Sequence, residues 1–196
     1  AGGPFTVKGS PDKEVPLAAV AFGAFTAHDL PDGMEPNLEA QVTWDPGNFV
    51  FPFGTHIAVV EVDEETGAVE LIDYAAVDDC GNQINPMIVE GQLHGGIVQG
   101  VAQALWEEAI YDADGQLRSA NLADYLVPSA AECIDMKLDH TVTPSPTNPM
   151  GVKGVGEAGT IASTPAVMNA VVDALRPMGI TDVRMPASPM TVRRAI

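Results

Sequence analysis

The strongest constraint on the fold is a helix-forming segment that carries glycine at interior positions. An apolar residue recurs every four positions, which predicts a helix whose core-facing stripe is made of Leu93, Ile97, Val101 and Leu105. A second face of the same helix contains only glutamine and glycine: Gln92, Gly95, Gly96, Gln99, Gly100 and Gln103. Each interior glycine costs a helix about 1 kcal/mol relative to alanine, or about 3 kcal/mol for three of them. The fold must therefore place something against this face that offsets the cost.

The glutamine and glycine face has two interpretations, and the spacing leaves both open. Glycine lets a second helix approach closely, so the face can be a helix–helix contact. Alternatively, glycine leaves room for a flat ligand, and the glutamine amides supply donors and acceptors to the ligand's edge. A heterocycle with alternating donors and acceptors would suit that arrangement. His94 lies beside the face, and a single histidine in such a place is typical of a hydrogen-bonded structural residue.

A second glycine-rich segment, residues 151–159, contains four glycines. Its pattern Gly154-x-Gly156-x-x-Gly159 matches the dinucleotide-binding fingerprint, but that fingerprint requires a preceding buried strand. Here residues 143–149 precede it, and their prolines predict a rigid loop. A phosphate-binding P-loop is also excluded, because Gly-Lys-Ser and Gly-Lys-Thr are absent. The segment is therefore predicted to be a loop whose N–H groups approach a ligand closely.

Two charged residues in this loop are candidates for chemistry. Lys153 is conspicuous in a chain with 27 acidic and 9 basic residues, and it is either ion-paired or a cation held for a ligand. Glu157 is either a solvated carboxylate or, if the loop closes over a pocket, a desolvated general base. Ser163 and Thr164 before Pro165 predict a helix start, and a helix N-terminus binds anions such as phosphate.

The remaining patterns predict a mixed fold. Helix signals begin at Ser10 with an apolar stretch to Phe25, at Pro86 or Val89 with an end near Ile110, at Pro165 with an end near Leu175, and at Pro189. Strands are expected over residues 38–45, 56–62, 68–77 and 134–139, with residues 63–67 as a hairpin turn. Because strands and helices mix without a βαβ rhythm, the predicted fold class is α+β.

The charge balance excludes several classes of partner. A net charge of −18 leaves no basic face for a nucleic-acid backbone or an anionic membrane. No apolar run approaches the roughly 20 residues that span a bilayer, so no membrane insertion is expected. Cys80 and Cys133 lack the spacing of a metal site; free thiols are favoured over a disulfide, as is usual in a reducing cytoplasm. An anionic ligand must therefore be held largely by backbone N–H groups and a few placed cations.

Three linked motifs occur in order along the chain. They are Asp78-Asp79-Cys80-Gly81 with Ile84-Asn85-Pro86, then Gly91-Gln92-x-His94-Gly95-Gly96-x-x-Gln99-Gly100, then the whole of residues 143–160. In these motifs the chain resembles the C-terminal part of the molybdenum-binding large subunit of the xanthine oxidase family, in particular the aerobic carbon monoxide dehydrogenase-like subunits. The resemblance extends over residues 1–196, which would form the C-terminal portion of the molybdopterin-binding domain.

The resemblance implies a molybdenum–molybdopterin cofactor, in the cytosine dinucleotide form, whose dithiolene rather than the protein holds the metal. It implies that Glu157 is the general base in the water-derived hydroxylation or oxidation of a small substrate such as CO, an aldehyde or an N-heterocycle. The residues that it assigns to the cofactor are Gln92, Gly95, Gly96, Gln99, Lys153, Gly154, Val155 and Gly156.

The same resemblance implies partners. The N-terminal part of the large subunit would complete the site, and iron–sulfur and FAD subunits would take up the electrons, in a cytoplasmic dimer of heteromers. Because that N-terminal part is absent and residue 1 is alanine rather than methionine, we expect a split-gene subunit, a proteolytic fragment or a truncated form. The alternative is a catalytically inactive structural or assembly module, which the intact Glu157 and glutamine face disfavour.

Overall fold

The chain divides into two units between Asp45 and Pro46, and the computed structural model describes residues 3–196. In the first unit, strand β1 (Phe5–Val7) pairs antiparallel with strand β2 (Ser10–Val15), and helix α1 (Leu17–Thr26) follows. No residue of α1 is buried.

Two predictions in the first unit are wrong. The helix start predicted at Ser10 is instead strand β2, because Gly9, with a φ of 87°, turns the chain back onto β1. The helix begins only after Pro16, whose ψ of 149° keeps the backbone extended. The strand predicted over residues 38–45 is also wrong, because no segment within residues 3–196 pairs with it, and Val42 is 84% exposed. Alternation alone does not make a strand where no partner strand is present.

The second unit contains the predicted β-hairpin. Strands β3 (Phe53–Val62) and β4 (Val69–Asp79) pair antiparallel. In the turn, the Asp63 carboxylate accepts hydrogen bonds from two backbone N–H groups that follow it, at 2.8 and 3.0 Å. Gly67 completes the turn with a φ of 76°. The hairpin prediction is confirmed.

Three helices and one short strand complete the second unit. Helix α2 (Pro86–Leu105) follows β4, and strand β5 (Lys137–His140), helix α3 (Ala158–Leu175) and helix α4 (Pro189–Ala195) come next. The sheet order is β3-β4-β5, with β5 parallel to β4. Mixed helices and small sheets confirm the α+β class. Within the described residues, no helix has both the length and the apolar character that crossing a bilayer requires.

Side-chain caps confirm two predicted helix starts. Asn85 before α2 and Ser188 before α4 each accept a hydrogen bond, at 3.3 Å, from the N–H three residues later. The predicted end of α2 at Ile110 is wrong, because the backbone leaves the helical region at Trp106, where φ is −132°. Strand β5 is shorter than predicted, since only four of its residues pair with β4.

The start of α3 differs most from the prediction. The helix begins at Ala158, so Ser163 and Thr164 lie inside it and do not form an N-terminal anion site. Pro165 is tolerated in the helix because the carbonyl that loses its usual partner belongs to Ile161, an exposed residue.

Glycine contacts between α2 and α3 explain this earlier start. A Cβ added to Gly159 would lie 2.6 Å from a backbone carbonyl oxygen of α2, and one added to Gly100 would lie 1.8 Å from Ser163 Oγ. Gly96 is buried in the same contact, whereas nothing lies within 4 Å of a Cβ at Gly95. Close helix packing therefore accounts for part of the glycine face and leaves Gly95 open. The hydrophobic core of the second unit includes the buried residues Tyr74, Ile97, Val101, Val167, Val171, Leu175 and Val192.

We expect Gly159→Ala to destabilise the protein by about 1–3 kcal/mol, the usual cost of overpacking, because the new methyl group would meet backbone atoms of α2. Gly91→Ala is the matched control. Gly91 is an exposed residue of α2 with nothing near its Cβ position, so alanine there should stabilise by up to about 1 kcal/mol. Denaturant midpoints of the two variants measure both effects, and equal midpoints would contradict the close contact.

Candidate functional site

The segment after β4 is locked to residues 151–157, which we call the glycine loop. Gly81 and Val152 form an antiparallel bridge, and the Lys153 N–H donates to the Cys80 carbonyl at 2.8 Å. Gly81 and Gly151 both have left-handed backbones, with φ of 68° and 66°. A Cβ on Gly81 would lie 2.2 Å from the Gly151 carbonyl oxygen. The first and third sequence motifs therefore form one structural unit that requires glycine on both sides.

A buried ion pair holds the glycine loop in place. The Asp79 side chain is fully buried, and its Oδ1 accepts hydrogen bonds from Lys153 Nζ at 3.0 Å and from the Gly81 N–H at 2.9 Å. Its Oδ2 accepts a hydrogen bond from Thr141 Oγ1 at 2.9 Å. The Lys153 ammonium also lies 4.6 Å from the centre of the Phe53 ring. Of the two interpretations of Lys153, the ion pair is the one observed.

Hydrogen bonding sets the charge state of Asp79. Burial acts to raise the pKa of its carboxyl, but the hydrogen bonds from Gly81, from Lys153 and from two threonines outweigh burial and hold the pKa well below its usual value. Asp79 is therefore ionised at neutral pH, which provides the buried ammonium of Lys153 with a charged partner.

The exposed part of the glycine loop offers backbone donors. Gly154 and Gly156 are exposed, and the Gly154 N–H makes a long contact of 3.4 Å to the Val50 carbonyl. The N–H groups of Val155, Gly156 and Glu157 have no acceptor within residues 3–196. They lie at the N-terminus of α3, where the helix dipole is positive. This row of donors suits an anionic or carbonyl-bearing ligand.

The glutamine face of α2 meets the glycine loop at one end. A Cβ added to Gly156 would lie 4.0 Å from Gln92 Oε1. Farther along α2, Gly95 opens onto free space and Gln99 is exposed, whereas Gly96 is buried against α3. The structure therefore brings Gln92 to the loop, leaves Gly95 and Gln99 on an open surface, and uses Gly96 for helix packing.

Glu157 stands at the junction of the glycine loop and α3. It occupies the N-cap position, is exposed, and makes no capping hydrogen bond with its side chain. The pocket expected to desolvate this carboxylate is not formed by residues 3–196 alone. His94, beside the glutamine face, lies 2.9 Å from the Glu90 carbonyl through its Nδ1, which agrees with the structural role expected of it.

A cavity of about 270 Å³ lies beside the glycine loop and is lined largely by apolar and amide side chains, including Cys80, Asn82, Ile84, Ile88, Val89 and Val155. A larger cavity of about 1310 Å³ lies among residues 19–41 of the first unit and includes no predicted site residue. The smaller cavity is therefore the one that belongs to the site. Over the described part of the chain, His, Cys, Asp and Glu side chains form no group of three or more that could hold a metal.

Sequence reasoning did not predict what the buried acids at the end of β4 bind. Asp79 binds Lys153, whereas Asp78 belongs to a separate buried group: its Oδ2 lies 3.0 Å from His56 Nε2, and the Tyr74 hydroxyl lies 2.8 Å from His56 Nδ1. Burial and the neighbouring Asp78 charge raise the pKa of Tyr74, and the Ser163 hydroxyl offsets this in part. The available signal was the pair of adjacent acids directly after the predicted strand of residues 68–77.

Comparison with known proteins assigns the family. A family model described as the molybdopterin cofactor-binding domain matches residues 1–134. The chain belongs to this family. The carbon monoxide dehydrogenase large chain of Hydrogenophaga pseudoflava is 43% identical over 192 residues, which cover 98% of this chain and 24% of that protein. The nicotine 6-hydroxylase large subunit of Paenarthrobacter nicotinovorans is 40% identical over 191 residues, covering 97% and 23%.

A solved structure agrees with these relatives. Quinoline 2-oxidoreductase from Pseudomonas putida 86 superimposes with a TM-score of 0.89 at 44% identity, covering 99% of this chain and 25% of that one. The molybdopterin-binding chain thus spans about a quarter of the length of the relatives it matches. The predicted resemblance to large subunits of the xanthine oxidase family, with molybdenum–molybdopterin as the cofactor, is confirmed.

The Asp79 ion pair makes stability depend on pH in a defined direction. A carboxyl whose pKa is lowered by folding contributes stability that is fully present above its unfolded pKa, about 3.9, and is lost as pH falls through the folded pKa. We expect the stability advantage of the wild type over Asp79→Asn to be constant at neutral pH and to shrink below about pH 4. Denaturant midpoints over a pH series measure this difference. An advantage that grows on acidification would contradict the ion pair.

Proposed function

We propose that this chain forms a molybdopterin-facing wall of a molybdenum hydroxylase in which Glu157 is the general base. One observation carries most of the support: Gln92 Oε1 of α2 lies 4.0 Å from the Cβ position of Gly156 in the glycine loop. Two motifs that are far apart in the sequence therefore border the same open space. Both present hydrogen-bonding groups to it, and Glu157 stands at its edge.

The residues on this surface fit a molybdopterin. The ring edge of a pterin alternates hydrogen-bond donors and acceptors, which the side-chain amides of Gln92 and Gln99 can match. Gly95 leaves space for a flat ring. The row of N–H groups at residues 155–157 begins α3, and such a row binds phosphate or carbonyl oxygen. A metal held by the dithiolene of the cofactor would need no ligand cluster from the protein.

The other residues assigned by the resemblance act less directly in this proposal. Gly96 allows the contact between α2 and α3, while Gly154 and Gly156 let the loop backbone approach the cofactor. Val155 contributes its N–H and lines the cavity of about 270 Å³. Lys153 holds the loop through Asp79 rather than by pointing freely at a ligand.

The catalytic role of the chain follows from the position of Glu157. The molybdenum centre, when bound, supplies the two-electron oxidation of the substrate. The Glu157 carboxylate accepts a proton from the water-derived nucleophile, which is the work of a general base. The loop and α3 hold the backbone of Glu157 from both sides and so limit where its carboxylate can lie before reaction. Residues of a longer subunit would cover Glu157 and exclude bulk water from it.

We propose that the substrate is a small molecule such as CO, an aldehyde or an N-heterocycle, and that it is selected outside this chain. Relatives whose names refer to carbon monoxide, nicotine and quinoline are 43%, 40% and 44% identical to the chain. Such even identity across different substrates indicates that the shared region serves the common cofactor chemistry.

The assembly belongs to the same proposal. Residues 1–196 form the C-terminal portion of the cofactor-binding domain, the rest of a large subunit completes the site, and iron–sulfur and FAD subunits carry the electrons in a dimer of heteromers. The cofactor is in its cytosine dinucleotide form. We place the enzyme in the cytoplasm, because Cys80 and Cys133 are free thiols and Cys133 is exposed.

Glu157→Gln tests the proposed base. The substitution keeps the size of the side chain but removes the proton acceptor, so turnover of the assembled enzyme should fall by roughly 10²–10⁴-fold. Molybdenum content and the unfolding midpoint should not change. Turnover is measured with CO, an aldehyde and quinoline as trial substrates and a dye as electron acceptor. Unchanged turnover would remove Glu157 from the mechanism, and a wild type that holds no molybdenum would favour the inactive module.

Gln92→Ala tests the cofactor contact. Because the Gln92 amide borders the glycine loop, we expect its loss to lower the molybdenum and pterin content of the purified enzyme. Gln103→Ala is the matched control: Gln103 is an exposed glutamine of the same helix whose amide oxygen accepts a hydrogen bond from Thr164 Oγ1 at 3.1 Å. Its cofactor content should equal that of the wild type. Equal losses in the two variants would exclude a specific contact by Gln92.

A further inference from the structure

We propose that Asp79 is a positioning residue for Glu157 and acts through Lys153 and the glycine loop. The inference rests on the function proposed above. It gives a role to Asp79, a buried acid at the end of β4 that the mechanism itself does not use.

Lys153 is the last firmly held residue before the exposed part of the loop. Its N–H donates to the Cys80 carbonyl at 2.8 Å. Its ammonium is bound to Asp79 Oδ1 at 3.0 Å and lies 4.6 Å from the centre of the Phe53 ring. Only 10% of the Lys153 side chain is exposed. Gly154, which follows it, is exposed and makes only the long contact to the Val50 carbonyl.

Beyond Glu157 the chain is held again by the buried Ala158 and, next to it, by Gly159. The Gly159 Cα packs against the backbone of α2 so closely that a Cβ would overlap a carbonyl oxygen at 2.6 Å. Only residues 154–157 lie between Lys153 and these anchors, and Glu157 is one of them. A short segment between two fixed points has few conformations, so the position of Lys153 limits where the Glu157 carboxylate can lie.

Asp79 in turn fixes Lys153. Its carboxylate also accepts hydrogen bonds from the Gly81 N–H and from Thr141 Oγ1, both at 2.9 Å. Asp79 therefore connects the glycine loop to the segment between β4 and α2 and to the segment that follows β5. If its charge is removed, the nearly buried ammonium of Lys153 loses its ionic partner, and moving toward water becomes favourable. The loop backbone would then move with it.

Asp78 provides a control with the same chemistry in the same strand. It is buried, and its carboxylate is paired with the fully buried His56 at 3.0 Å. Within the part of the chain that the structure describes, this side chain hydrogen-bonds to no residue of the glycine loop. Asp78→Asn therefore breaks a buried ionisable pair while leaving the anchor of Lys153 intact.

The test compares Asp79→Asn and Asp78→Asn in the assembled enzyme. We expect Asp79→Asn to lower kcat by roughly 10- to 100-fold while KM and molybdenum content stay within about two-fold, because misplacement of a catalytic group affects the chemical step. Asp78→Asn should lower the unfolding midpoint but leave kcat within about two-fold of the wild type. Equal losses of kcat in the two variants would overturn the proposal, because they would reflect stability alone.

Hydrogen exchange supplies a readout that does not depend on turnover. The hydrogen-bonded backbone amides on either side of Glu157, those of Lys153, Gly154 and Ala158, should exchange faster in Asp79→Asn than in the wild type or in Asp78→Asn, and unchanged exchange would overturn the proposal. If Asp79→Asn fails to assemble, Lys153→Gln carries the test, since it breaks the ion pair but keeps the hydrogen bonds of Asp79 to Gly81 and Thr141. It should show the same loss of kcat and the same faster exchange, and wild-type values for both would overturn the proposal.

Glu157→Gln, measured in parallel, distinguishes a failure of the proposed function from a failure of the positioning role of Asp79. If it leaves turnover unchanged, the proposed function is wrong. If it lowers turnover while Asp79→Asn behaves like Asp78→Asn, only the positioning role is wrong.

Discussion

The backbone contact between α2 and α3 determines the arrangement of the second unit. Gly159 approaches α2 so closely that a Cβ would lie 2.6 Å from the Leu93 carbonyl oxygen. Because Gly159 lies in the first turn of α3, the contact also fixes where the helix begins and where Glu157 stands. The sheet packs against the same helix pair through buried side chains such as Tyr74 and Val167. The glycines that seem costly in an isolated helix are therefore the residues that permit this packing.

The acidity of the chain explains the kind of site that results. With a net charge of −18, few cations are available to bind an anionic cofactor. Lys153, the cation inside the glycine loop, is already bound to Asp79. The donors that remain at the site are backbone N–H groups at the positive end of α3 and the amide of Gln92. Glycine is needed there because it lets the backbone, rather than a charged side chain, make the contacts.

Local sequence signals predicted the elements that local interactions stabilise. Capping residues and alternation correctly indicated α2, α4 and the hairpin of β3 and β4. Prediction failed where contact with a residue far away in the sequence determines the structure. The Thr164-Pro165 pair is a strong local signal for a helix start, yet α3 begins at Ala158, where Gly159 packs against α2. The candidate site shows the same difference between residues that the sequence motifs indicate and contacts that only the fold creates. The motifs include Gln92, which the structure brings to the glycine loop, and they also include Asp79, but they did not indicate that Asp79 binds Lys153.

The most direct test of the central claim is an anomalous difference map of the assembled protein, recorded at the molybdenum absorption edge. We expect one molybdenum peak per copy of this chain, beside residues 154–157, with the Glu157 carboxylate facing it and Gln92 on the same side. A peak remote from the glycine loop, or the absence of any molybdenum peak, would contradict the account.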